Sequence, residues 1–469
     1  MRVLNSYHQQ RLWFIDYFEK NDLYVGGPVY HNIPFFLKID KKLDSNLLKN
    51  AFLKLIENNS ILRTRLCKEG GDIFQEISEP IHLNIDTLLV QKENLVENAE
   101  ELRRIPFDFD TDYLIKCYYE HKQGHTLVYF IIHHAIIDRQ SIKLIENQFL
   151  ALINNIESAD EKGIQFHNFS NWQNALTDED LEPLLFHWRS KLKDLQVLYF
   201  STDNEREQVH IYKANKVNTT IVADKIKSFC LTKNMSARSL FLAAYKMAFV
   251  RLTGLSDIVM GTWMDLRGEE LQNVVGPIEN LVVLRSFLDQ QKTLLELCTV
   301  VDEEWHEAEN FKSMPFDKLV LELNPKKDMS RTALFDILYV YESKIEETKR
   351  VEDSAISNQG WGKYDFNLLV TEEADKFDLA LTYNDLYFNQ DTVHSLLDLV
   401  TRILESIIES EASYLKDISL VSAKEYNRLC KNQKFENDAS VSIVELFGEQ
   451  VKKHKKKTRS YLVVRKIKI

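Results

Sequence analysis

Glycine and proline are scarce, at 13 and 8 of 469 residues. That leaves little material for long flexible linkers, so a compactly folded chain is expected. Cysteine is also sparse: Cys67, Cys117, Cys230, Cys298 and Cys430 lie far apart, and no C-x-x-C occurs. An odd number without close pairs argues against a disulfide framework or a cysteine-built zinc site and fits a reducing, cytoplasmic setting. There is no run of eighteen apolar residues, and Met1-Arg2-Val3-Leu4-Asn5-Ser6 carries no apolar signal core. Neither a membrane span nor export is therefore expected. Positive charge is in deficit, with a formal net charge of -12, which argues against nucleic-acid binding and gives no reason to sit on an anionic membrane. The nucleophile elbow G-x-S-x-G, the P-loop and H-E-x-x-H are all missing, which removes three common catalytic frameworks. His121 and His125 are four apart but flank Gly124 in an expected turn, a poor arrangement for a metal.

What is present is an interleaving of strands and helices in a chain too long for one hydrophobic core, since cores stop growing at roughly 250–300 residues. Residues 33–39 read as a strand. Asp44 or Ser45 offers an N-cap to a helix whose stripe is Leu47, Leu48, Ala51, Phe52, Leu55 and Ile56. Residues 113–120 and 126–132 read as strands around Gly124. The second is almost continuously apolar, which predicts burial on both faces. A helix resumes at Ser141, a polar stretch covers 155–165, and another helix lies near 179–194. The second half repeats the style, with an apolar helix at 237–252, strands at 257–261, 280–286, 334–342, 364–370 and 377–383, and an amphipathic helix at 391–409. Two α/β halves are expected, residues 1–180 and 181–425, each a mixed sheet with helices. Residues 426–469 stand apart. Between 452 and 469 there are nine basic residues and no acidic one, which reads as a solvated tail lacking the aromatic interleaving of a nucleic-acid arm.

The sharpest chemical feature is His133-His134-Ala135-Ile136-Ile137-Asp138, placed between a buried strand and a helix. α/β proteins put active sites at such strand ends. Adjacent residues at a strand end point to opposite faces, so one histidine can face a substrate while the other sits in the core. An imidazole facing a channel can accept a proton near neutrality. Asp138 can hold the turn by a hydrogen bond or an arginine pair. Two buried structural histidines are the plain alternative for this stretch.

The His-His-x-x-x-Asp stretch and six further segments, in order, resemble the condensation domains of nonribosomal peptide synthetases. Ser6-Tyr7-His8-Gln9-Gln10-Arg11-Leu12-Trp13 resembles S-x-A-Q-x-R-x-W, with His8 where Ala is usual. Asn58 to Thr64 resembles R-H-E-x-L-R-T, retaining Leu62-Arg63-Thr64. Phe166 to Trp172 resembles Y-x-D-F-A-x-W. Val275-Gly276-Pro277-Ile278-Glu279-Asn280, followed by Leu284-Arg285, resembles I-G-x-F-V-N-T with a later L-R. Met314-Pro315-Phe316-Asp317 resembles V-P-F-E, and Ser330 to Asp336 resembles S-R-N-P-L-F-Q. The likeness covers residues 4–340 by motif, and later elements look similar to about 425. Residues 436–457 resemble the linker leading into an adenylation domain.

The resemblance implies a fold of two chloramphenicol-acetyltransferase-like lobes in a V-shaped pseudo-dimer with a central tunnel. It implies an acyltransferase that moves an acyl or peptidyl group from a carrier thioester to the amine of an acceptor. Upstream and downstream peptidyl carrier proteins are the implied partners, with an adjoining adenylation domain and a monomeric body. No tightly bound cofactor and no metal are implied, since substrates ride on the phosphopantetheine of the carriers. His134 matches the catalytic position, where it positions the amine or takes its proton. His133 is expected in the core and Asp138 in a structural pair with Arg285 or Arg63. Asn280 belongs to the segment bridging the tunnel floor, and Trp172, with Trp13 and Phe335, is expected mainly to pack. Arg139 stands where glycine is usual; it would narrow the tunnel, serve as a substrate counter-ion, or face solvent. An acyl-CoA-dependent acyltransferase shares the motif and the lobes, and a catalytically silent docking domain is the alternative from another class.

Overall fold

The computed structural model describes residues 1–22, 29, 31–156, 163–198, 200–206, 213–325, 328, 330–343, 364–422, 426, 427, 430 and 452. Met1–Leu420 form one compact unit and Val421–Ile469 a second. The expected linker and basic tail, residues 426–469, lie outside the described residues except at those last four positions.

The first half contains β1 (Arg2–Leu4), β2 (Asn32–Ile39), β3 (Thr64–Glu69), β4 (Asp72–Ile77), β5 (Leu89–Gln91), β6 (Ile115–His121) and β7 (Thr126–His133). Its main sheet runs β2-β7-β6-β5, and β1-β4-β3 form a small separate sheet. β7 is central, antiparallel to both neighbours, with Asn32 opposite His133 on one side. All eight of its residues are buried, as its unbroken apolar run predicts. The helices Ser45–Asn58 and Arg139–Ile153 cover the sheet through Leu48, Phe52, Leu55, Ile145 and Phe149. Asp44 caps the first of them by accepting from the amides of Asn46 and Leu47, the role its short carboxylate suits.

The second half adds β8 (Ala214–Val222), β9 (Asp257–Asp265), β10 (Glu279–Phe287), β11 (Ile337–Ser343), β12 (Phe366–Glu372) and β13 (Lys376–Asn384) in one sheet ordered β10-β9-β11-β12-β13-β8. β11 is parallel to both β9 and β12. The helix Ala237–Thr253 has no polar face: residues 239–250 are all buried, because the helices Leu294–Asn310 and Gln390–Glu409 flank it over the sheet. Gly261 of β9 lies under Phe335, and a β-carbon there would come within 2.0 Å of the buried ring. The helix Asp178–Lys191 packs on this second core through Trp188.

Two α/β halves, each with its own core, match the fold that the sequence resemblance implies. The cores are not wholly private. Val274, Val275 and Ile278, from the connection between β9 and β10, are buried in the core of the first half. That connection carries one half into the other, and it meets the helix Arg139–Ile153 beside His134. Among the described residues no helix is long and apolar enough to cross a membrane.

Candidate active site

The site grows from the end of β7. Buried pairing ends at His133, and Asp138 starts the next helix as its N-cap, accepting from the amide of Ser141 at 2.8 Å. The four residues between make a tight turn whose backbone is held by the histidines themselves. His133 is 1% exposed. Its Nδ1 accepts from the amide of Ala135 at 3.1 Å, so the neutral ring carries its proton on Nε2. Phe109, His31 and Phe107 surround it edge-on, with ring centroids at 4.8, 5.5 and 6.2 Å. Burial, and after it the neighbouring His134, pull its pKa down to about 3. His133 is a neutral, buried residue.

His134 faces the other way. Its Nδ1 lies 2.8 Å from the carbonyl oxygen of Ile137. A carbonyl only accepts, so Nδ1 carries the proton and the lone pair is on Nε2. Nε2 is 3.5 Å from Oε1 of Glu279. The imidazole is 7% exposed, less than a channel-facing base was expected to be. The reason is His8, whose ring stands edge-on at 4.9 Å, with Trp263 at 6.0 Å from both histidines. Burial lowers the pKa of His134 to about 4; the Ile137 hydrogen bond opposes this and the Arg11 cation adds to it. The ring is therefore a neutral base at physiological pH.

Glu279 begins β10, opposite Asp265 of β9. Burial, followed by the negative charge of Asp138, raises its pKa to about 8, with Arg139 and Arg267 pulling the other way. A carboxylic acid and a neutral imidazole thus face each other at neutral pH.

Asp138 does not pair with Arg285 or Arg63. It pairs with Arg267, which stands just beyond β9. Oδ1 and Oδ2 receive the two terminal nitrogens of the guanidinium, and Oδ2 also accepts from the amide of Ile278 at 2.8 Å. Ser141 Oγ accepts from the amide of Gly276 at 2.9 Å. A β-carbon on Gly276 would meet the ring of Phe166 at 2.2 Å, so the crossing chain can lie this close only as glycine. Arg285 instead holds Asp257 in a two-pronged pair and donates to the carbonyls of Lys191 and Lys193. Arg63 ties its turn to the carbonyl of Ser78. Both belong to the framework, away from the histidines.

Arg139 forms an ion pair with Glu342 of β11. It therefore bridges the halves, rather than projecting free into solvent. Asn280 donates to the carbonyls of Lys312 and Met314 at 2.8 and 2.6 Å and accepts from the amide of Phe316. It fixes the loop that floors a small cleft of about 20 Å³ whose lining includes Tyr7, His8, Arg11, Gln173, Glu279 and Asp317. Trp172 is 53% exposed and leans on Phe169 rather than entering the cleft. Trp13 and Phe335 are buried packing residues.

Arg267 and Glu279 were not singled out from the sequence. Glu279 carried a signal, being an acid where the resembling pattern has valine. Arg267 carried none, because its partner is 129 residues away.

The condensation-domain family model matches residues 3–430. Bacitracin synthase 3 from Bacillus licheniformis is 26% identical over 469 residues, covering 96% of this chain and 7% of that protein. The chain thus spans a small part of the length of that relative. The X-domain from teicoplanin biosynthesis superposes with a TM-score of 0.77 at 20% identity, covering 90% of this chain and 98% of the other. The condensation domain from the monacolin K polyketide synthase MokA gives 0.77 at 16%, covering 88% and 99%. With the ordered motifs, the two-half fold and a family match over nearly its whole length, the chain belongs to the condensation-domain family.

Proposed function

We propose that this chain forms amide bonds in nonribosomal peptide synthesis, transferring an acyl or peptidyl group from an upstream carrier thioester to the amine of a downstream carrier-bound aminoacyl group. The observation that carries this reading is the fixed tautomer of His134: the Ile137 carbonyl holds Nδ1–H, and the unprotonated Nε2 lies 3.5 Å from the carboxyl of Glu279, a residue of the cleft wall. The chemistry asks for little more. An α-amine has a pKa of about 7.7–8.0, so a useful fraction is already neutral. The thioester is activated, and holding both partners in line supplies up to about 7–11 kcal/mol. The phosphopantetheine arms of the carriers bring the substrates, and no resident cofactor has a role. Asp138 holds the turn that presents His134, and Asn280 holds the cleft floor.

A catalytically silent docking domain is the second reading. It is favoured by the burial of His134, which is contacted by His8 and Glu279, two residues of the cleft lining. The test is a single-turnover reaction with a carrier-bound acyl thioester and a panel of amines, free and carrier-bound. Amide product supports condensation and identifies the acceptor class. Carrier binding with no product from any pair supports docking alone.

A further inference from the structure

His134 does not line the cleft. Two residues that do, His8 and Glu279, are the ones in contact with it. Both depart from the resembling motifs, which have alanine and valine there. An acceptor amine placed at the cleft wall is therefore beside Glu279, whose carboxyl lies 3.5 Å from the imidazole. Resting on the condensation reading above, we propose that Glu279 is the group that takes the proton from the acceptor amine, with His134 as the positioning residue behind it.

The step balances without a further reactant. The amine nitrogen bonds to the thioester carbonyl carbon, the C–S bond breaks, and the carboxylate of Glu279 takes the proton that nitrogen loses. Glu279 then returns that proton to the departing thiolate. His134 suits the supporting role. Its Nδ1–H is fixed on Ile137, so Nε2 can hold the acid form of Glu279 in place but has no proton of its own to give.

The surroundings tune the carboxyl for the task. Asp138 and Arg139 face it from the head of the helix Arg139–Ile153, and Asp265 and Arg267 from the end of β9. His8 and Arg11 share the cleft wall from the first helix, with Asp317 across the floor. Burial and the two acids outweigh the two arginines, and the pKa rises to about 8. A carboxylate of that basicity is well matched to an ammonium ion of similar pKa, whereas an ordinary glutamate is a poor base for it.

The experiment compares native protein, Glu279→Gln and Glu279→Val in single-turnover amide formation from pH 6 to 9.5, using acceptors of different amine basicity. The native rate should rise through about pH 8 whichever acceptor is used. Both variants should slow by about 100-fold and lose that limb. A Glu279 that only fills space predicts the reverse for Glu279→Val: a rate equal to or above native, which overturns the proposal. An infrared difference titration, native minus Glu279→Gln, reads the protonated carboxyl independently of turnover. A band lost in the ordinary carboxylate range also overturns it. If the native chain makes no amide with any pair, the condensation reading fails and takes this role with it. Native turnover with Glu279→Gln at full rate and an unchanged profile sinks the Glu279 role alone.

Discussion

Arg267 grips Asp138 across the junction of the two halves, with Nη1 2.7 Å from Oδ2 and Nη2 3.0 Å from Oδ1. The side chains are 2% and 1% exposed. Such a pair is costly to bury and costlier to break, because removing one partner strands the other charge away from water. Asp138→Ala and Arg267→Ala should each lose about 3–5 kcal/mol in urea unfolding. The double variant should lose much less than the sum, since neither charge is then left alone. Additive losses would show that the two residues act separately.

The ion pair between Arg139 and Glu342 behaves differently, because 37% and 29% of those side chains are exposed. Solvent screening keeps such pairs to about 0–1 kcal/mol. Arg139→Gly, which restores the residue usual in the resembling motif, should therefore cost about 1–2 kcal/mol once the poorer helix propensity of glycine is included. Its larger effect should be electrostatic. Arg139 holds the acidity of Glu279 up, so its removal should move the alkaline limb of amide formation to higher pH. An unmoved limb in the pH–rate profile would separate Arg139 from the site.

Three buried groups give opposite signs of pH dependence. His133 and His134 have folded pKa values of about 3 and about 4 against an ordinary 6.5. The unfolded chain binds those protons first, so stability present above pH 6.5 is lost as pH falls toward the folded values. Relative to native protein, His133→Asn should gain about 1.4 kcal/mol for each pH unit below 6.5. Glu279, raised from 4.5 to about 8, runs the other way: the folded state keeps its proton longer, and stability is lost as pH rises from 4.5 toward 8. Glu279→Gln should gain on native protein over that interval. Denaturant midpoints measured at pH 5, 6, 7 and 8 check both slopes, and parallel curves would contradict the burial assigned to these groups.

Much of this architecture is legible in the sequence, and the illegible parts share a cause. The unbroken apolar run of β7 predicts a strand buried on both faces, and Asp44 announces the helix it caps. β8 gives no such signal. It is the edge of its sheet, its residues are half-exposed, and Asn215, Lys216, Asn218, Thr219 and Thr220 interrupt any apolar pattern. At the site, the histidines and the capping aspartate form one local unit and can be read together. The partner of Asp138 cannot, because Arg267 arrives on a connection from the other half and no periodicity ties the two. Burial of His134 was unreadable for the same reason: the ring that covers it, His8, comes from the first helix. The seven ordered segments carried the family and the two-half fold, whereas the pairing of individual charges depended on distant chain segments.

The most direct test of the central claim loads an upstream carrier with an acyl group and a downstream carrier with an amino acid, then follows both carriers by intact mass with native protein and His134→Ala. The acyl mass should leave the first carrier and appear on the second, and the variant should slow this by about 100-fold or more while still binding both carriers. Transfer at an undiminished rate by His134→Ala, or none by the native chain despite carrier binding, would contradict it.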